Sequence, residues 1–156
     1  MARSPYVIDY RSDFTFPRPP DEVWSAMQRF ERYERWWGWL RDFRIEGPGL
    51  ETGSVLHGVV VLPLPYRLGV RIVLSECVPP KHIDADIHGD LEGAARIVLE
   101  PEREGTRARV TSTIEVMQRP VRLAARVAPR ALRWGHDRVV EATVTSFRRH
   151  LKDLAD

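Results

Sequence analysis

The chain has 156 residues, 43% apolar and 29% charged, the balance of one folded domain over residues 1–156 and neither a disordered nor a collagen-like chain. Lys and Arg total 24 against 22 acids, so the net charge of +2 gives no case for long-range attraction to nucleic acid. The uncharged run Val55–Tyr66 is broken by Gly58, Pro63 and Pro65 and falls short of the roughly 20 apolar residues a bilayer helix needs.

Alternation of Ile8, Tyr10, Phe14 and Phe16 against Val7, Asp9, Arg11 and Asp13 predicts a first strand over Tyr6–Phe16. Pro17, Pro19 and Pro20 stop it, and Pro20-Asp21-Glu22 opens a helix with a proline and two acids at its positive end. Val23, Trp24, Met27 and Phe30 fall at helical spacing, and a short second helix is predicted over Glu31–Trp36. From Leu40 the pattern is that of strands. They are predicted over Leu40–Glu46, from Thr52-Gly53-Ser54 to Leu62, around an apolar core Val70–Leu74 and ended by Pro79-Pro80, over Ile83–His88, Leu91–Leu99 and Arg107–Met117. Pro79-Pro80, Gly89-Asp90 and Glu100–Gly105 mark turns, and Gly69 is read as an interruption. After Pro120 the period is helical again, with Pro129 dividing Val121–Ala128 from a longer helix ending near Leu151. Leu132, Gly135, Val139, Ala142, Thr143 and Ser146 form one broad side of that helix.

This order gives an α+β fold: an antiparallel sheet of six to seven strands with one apolar face, which a long C-terminal helix must cover. It resembles the helix-grip fold of the START-like (SRPBCC, polyketide cyclase/dehydrase-like) superfamily over nearly the whole chain. The residues that carry the resemblance are Phe14-Thr15-Phe16-Pro17-Arg18-Pro19-Pro20-Asp21-Glu22-Val23-Trp24, then Tyr33-Glu34-Arg35-Trp36-Trp37, Gly53-Ser54 and the terminal helix. The resemblance implies a curved sheet wrapped around the helix, with a ligand cavity between them. It implies no particular activity, because the cavity lining decides the chemistry. Members include aromatase/cyclases, lipid and sterol carriers, hormone receptors and quinone-binding proteins.

Several residues are candidates for that lining. Trp36, Trp37 and Trp39 can wall an apolar pocket or simply seal the short helices onto the sheet. Adjacent Trp36 and Trp37 diverge on a helix, so one of the three is expected to be partly exposed. His57 shares its strand parity with Val55, Val59 and Val61. If that face is inward, the ring can orient a ligand or transfer a proton, with Tyr66, Arg71, Arg96, Ser112 and Thr143 as companions; otherwise it is a satisfied structural histidine. Arg96 shares parity with Ala94 and Val98, and its inward placement would pair it with Glu76 or with a ligand oxygen. His57 and Arg96 are thus the one catalytic pair to nominate. Ile72, Gly135, Val139 and Thr143 complete the expected lining. Gly135 fits close approach of the sheet or extra space, while the Thr143 hydroxyl can serve a ligand or bond back along its own helix.

Other chemistries have less support. His82, Asp84, Asp86 and His88 share a strand face but are spaced about 7 Å apart, which suits a solvated face rather than four ligands to one ion. No phosphate-binding glycine loop follows a strand, no cofactor is implied, and Cys77, the single cysteine, forms no internal disulfide. Met1–Tyr6 lacks the apolar core of a secretion signal, so the cytoplasm is the expected compartment. Arginines from Arg119 to Arg149 are interrupted by Asp137 and Glu141 and followed by Asp153, and read as a solvated face. The amphipathic segment Val121–Val127 leaves peripheral membrane contact open.

The leading expectation is a binding protein, monomer or homodimer, for a hydrophobic or aromatic small molecule of lipid, polyketide or quinone type. The alternatives are an aromatase/cyclase or dehydratase using His57 and Arg96, and a protein-interaction module presenting the tryptophans or the basic helix.

Overall fold

A computed structural model describes residues 4–62 and 66–153. Strand β1 (Val7–Phe16) leads through α1 (Pro20–Met27), a single 3-10 turn (Phe30–Arg32) and α2 (Tyr33–Trp36) to β2 (Leu40–Glu46). Strands β3 (Val55–Val61), β4 (Arg67–Val78), β5 (His82–Gly89), β6 (Leu91–Glu102) and β7 (Gly105–Val116) follow as hairpins. Helices α3 (Arg119–Val127) and α4 (Pro129–Asp153) close the chain. The seven strands form one antiparallel sheet in the order β1-β7-β6-β5-β4-β3-β2. The first strand thus pairs with the last, and β1 and β2 are the edges.

The elements start and stop where local chemistry dictates. Proline occupies the first turn of both α1 and α3, where the missing N–H has no intrahelical partner to lose. Pro129 begins α4, so the expected division of the terminal helices stands. Gly69 does not interrupt β4. Its N–H donates to Asp90 Oδ2 at 2.8 Å, and the strand runs from Arg67 through its apolar core to Val78, ending at Pro79-Pro80 as expected. Likewise β6 continues through Pro101 to Glu102, so the β6–β7 turn is tighter than the polar segment Glu100–Gly105 suggests. The prolines Pro63 and Pro65 lie outside the described residues. At Gly89 a positive φ of 113° turns β5 into β6, and a Cβ there would lie 2.6 Å from the Gly69 carbonyl oxygen, so only glycine fits. Strand β2 carries a bulge between Arg41 and Arg44, with Asp42 in the left-handed region at φ 52°.

Pairing register fixes which side chains face α4. On β1, β7, β6 and β5 the inward set is Ile8, Tyr10, Phe14 and Phe16; Ala108, Ser112, Ile114 and Val116; Ala95, Ile97 and Leu99; and Ile83, Ala85 and Ile87. These residues join two separate apolar clusters. One, at the α2 end, packs Phe16, Trp24, Trp36, Leu74, Leu99, Phe147 and Leu151. The other, at the α3 end, packs Ile8, Leu68, Ile114, Val116, Val121, Ala125 and Leu132. The long helix is tied to the sheet edge by Arg133 and Arg148. Their guanidinium groups donate to the β1 carbonyls of Asp9 at 2.7 Å and Thr15 at 3.1 Å.

Candidate functional site

Across β5, β6 and β7 the middle of the inner sheet face is built from small side chains. Ala85 on β5 stands opposite Ala95 on β6, Ala95 opposite Ser112 on β7, and Ser112 opposite Tyr10 on β1. This row runs across the sheet under the middle of α4. Close packing between a sheet and a helix is ordinarily supplied by large side chains, and this row offers only methyl and hydroxymethyl groups. Ala95, Ser112, Tyr10, Ile72, Val139 and Thr143 are half-buried, whereas Ala85 and Leu74, which continue the same row onto β5 and β4, are buried, as are Val116 and Leu132.

One wall of this region is aromatic. Trp36 is buried, in edge contact with Phe147 and beside His150. Trp37 and Trp39 are half-buried and stacked, with ring centroids 5.7 Å apart and planes inclined by 14°. The Trp37 indole N–H donates to the Thr143 carbonyl at 3.1 Å, and the Ser146 hydroxyl donates to the Trp36 carbonyl at 2.5 Å, so the tryptophan segment is bolted to α4. The Trp39 indole N–H is buried without an acceptor among the described residues. A buried donor left unpaired costs free energy, and an acceptor supplied by a bound molecule would recover it. Beneath the wall, Tyr33 hydrogen-bonds the Met27 carbonyl, and burial, reinforced by Glu31, pushes its phenol well above the ordinary tyrosine range.

The inward placement considered for His57 and Arg96 is not what the register gives. Leu56 and Ile72 pair with each other and pack into the apolar cluster, so His57, one residue on, points to the outer face opposite Arg71 and Arg44. Its Nε2 lies 3.2 Å from Glu46 Oε1. Arg96 also points outward, because Ala95 and Ile97 take the inner positions. It is half exposed and pairs with Asp84 at 3.5 Å rather than with Glu76. Strands β3 and β6 are three strand spacings apart, about 14 Å, so the two side chains cannot act on one atom.

The other expected lining residues have varied placements. Ile72, Ser112, Val139 and Thr143 face the middle of the interior, and Gly135 is buried on α4. Thr143 donates its hydroxyl to the Val139 carbonyl at 2.7 Å, bonding back along its own helix. Tyr66 packs in the α3-end cluster, and its carbonyl accepts from the Leu62 N–H at 3.1 Å, next to the Val61 N–H that donates to the Trp39 carbonyl. Ala142 is exposed, so it does not share the covering side with Gly135.

Two inward residues escaped the sequence reading. In the sequence Tyr10 reads only as a strand residue, and no pattern sets His136 apart on its helix. The two rings meet edge to face at 5.1 Å, with the His136 side chain only 13% exposed and its Nδ1 3.0 Å from Asp137. The available signal was the strand parity that aligns Tyr10 with Ile8 and Phe14.

On the outer face, Glu76, His82 and Asp84 bring ligand-type atoms within 4.8 Å of one another. They form part of a solvent-facing ion-pair network, since His82 Nε2 meets Glu76 at 2.7 Å and Asp84 meets Arg96. Beside them a shallow groove of about 490 Å³ crosses the strands, lined by Asp9, Arg11, Ala94 and Thr113 and also by Tyr10, Ala85, Ala95 and Ser112.

Residues 8–152 match the family described as "Polyketide cyclase / dehydrase and lipid transport". The chain belongs to that family. Its fold is also that of solved structures at low sequence identity. The protein TTHA0849 from Thermus thermophilus superposes with a TM-score of 0.78 at 15% identity, over 96% of this chain and 100% of that one. Ara h 8.0201 does so with a TM-score of 0.64 at 17% identity, over 94% and 99%. The di-domain ARO/CYC StfQ from the steffimycin biosynthetic pathway gives 0.75 at 13% identity, over 97% of this chain and 52% of that one. No curated protein sequence matches the chain. Among the described residues, no helix of this family member is long and apolar enough to cross a membrane.

Proposed function

We propose that the chain, acting as a single domain, binds a hydrophobic or aromatic small molecule of lipid, polyketide or quinone type between the inner sheet face and α4. The observation that carries this reading is the row of small inner-face side chains Ala85, Ala95 and Ser112, of which Ala95 and Ser112 are half-buried. Apolar walls supply affinity by removing ligand surface from water, and the few inward polar groups fix orientation. Tyr10, Ser112 and the unpartnered Trp39 N–H are the groups suited to a ligand oxygen. The family description, which joins cyclases with lipid transport, is consistent with such a ligand.

Native mass spectrometry of gently purified protein tests this reading. The expected spectrum contains a small-molecule adduct that organic solvent releases. Bare protein that also fails to take up any hydrophobic fluorophore would overturn it. The edge contact of His136 with Tyr10, with Asp137 on the imidazole, favours a second reading: an acid/base pair at the side of the same space, acting on a cyclase-type substrate. Loss of turnover, but not of binding, in His136→Gln would distinguish the enzyme from the carrier.

A further inference from the structure

Leu123 and Val127 are 62% and 79% exposed, one helical turn apart on α3, while Val121 and Ala125 on the opposite side are fully buried. The described residues contain two other exposed large apolar side chains, Met117 at 42% and Trp134 at 50%, and both flank the same helix in sequence. Such a concentration of apolar surface is not random scatter.

Charge is segregated in the same place. Residues 116–136 hold five arginines and no aspartate or glutamate, whereas the rest of the chain has 19 basic side chains against 22 acidic ones. Arg122 is committed to the fold, lying over the Tyr6 ring at 3.8 Å and donating to the Val116 carbonyl. Arg133 reaches Asp9 and Asp137. Arg119, Arg126 and Arg130 are exposed and have no ion-pair partner among the described residues.

We infer that α3 and the start of α4 form a docking surface for an anionic lipid bilayer. Leu123 and Val127 enter the headgroup boundary, while Arg119, Arg126 and Arg130 meet lipid phosphates. A polyanion such as nucleic acid would use the arginines but gives no role to outward-facing leucine and valine. A neutral protein groove would use the apolar pair but not the unpaired charge. A membrane surface uses both, and a nine-residue helix needs both signals to stay bound. This inference stands apart from the internal-ligand reading.

Flotation of the full chain with vesicles tests it. Vesicles of phosphatidylcholine mixed with phosphatidylglycerol are expected to carry the protein, and vesicles of phosphatidylcholine alone are not. Added salt should weaken the association. The combined variant Arg119→Gln, Arg126→Gln, Arg130→Gln should reduce partitioning about a hundredfold, from a factor of roughly five per arginine near an anionic surface. Leu123→Asp with Val127→Asp should abolish flotation without lowering the melting temperature, since both side chains are already exposed. Absence of flotation at low salt would overturn the inference. So would flotation indifferent to Leu123 and Val127, or retention on polyglutamate equal to that on the vesicles, which would point to an acidic protein partner. None of these measurements depends on whether the interior holds a ligand.

Discussion

Replacing Ala95 by leucine probes the space under α4 directly. The alanine sits between Ala85 and Ser112 on the inner face and is only half-buried there. Leucine adds three carbons. If they enter open apolar space, burial at about 0.8 kcal/mol per methylene gives roughly 2.4 kcal/mol, less about 0.5–1 kcal/mol of lost rotamer freedom. A net gain of about 1.5–2 kcal/mol raises the melting temperature of a domain this size by about 3–8 °C. The same leucine occupies volume a ligand would use, so uptake of a hydrophobic fluorophore should fall. Thermal unfolding followed by circular dichroism measures the first effect and fluorescence titration the second. A tightly filled interior gives the opposite sign, because overpacking costs about 1–3 kcal/mol. A lowered melting temperature would therefore refute the argument for a cavity.

Other consequences follow from particular side chains. The Tyr33 phenol is held protonated in the fold but titrates near pH 10, to within about a unit, in the unfolded chain, so the stability it contributes is lost as pH rises past 10. Melting temperature should fall more steeply above that pH in the native protein than in Tyr33→Phe. Thr106 is completely buried and donates its hydroxyl to the Arg18 carbonyl at 2.6 Å; Thr106→Val keeps the shape but strands the acceptor, and chemical denaturation should show a loss of about 1–3 kcal/mol. Because His57 and Arg96 face away from α4, His57→Ala and Arg96→Ala should leave fluorophore uptake unchanged, and a loss in either would contradict the assigned register. Burial raises the Cys77 thiol, with Glu51 and Asp84 adding to the effect, so its alkylation at neutral pH should be slower than that of a free cysteine and quicken in alkali.

The fold was legible because local signals and pattern agree. Proline at the start of α1, α3 and α4, and the alternation of Ile83, Ala85 and Ile87, state element type and burial without tertiary help. Strand length was less visible. Gly69 and Pro101 look like breaks, yet β4 and β6 run through them because neighbouring strands supply the ladder. The site was harder still. Parity says that His57 and Val59 share a face, but only pairing with β4 reveals which face meets α4, and both nominated polar residues fall on the other one. The Tyr10–His136 contact joins residues more than a hundred positions apart and has no local pattern.

An open sheet presents two rows of unsatisfied backbone groups to the surroundings, and such rows recruit strands from other chains. Here each margin carries its own guard. Along β1, arginines from α4 occupy the Asp9 and Thr15 carbonyls, so an incoming strand would first have to displace them. Along β2, the kink at Asp42 breaks the regular spacing an added strand would need. The helix over the interior thus also polices the margin of the sheet, and loosening it would expose a sticky edge together with the inner sheet face.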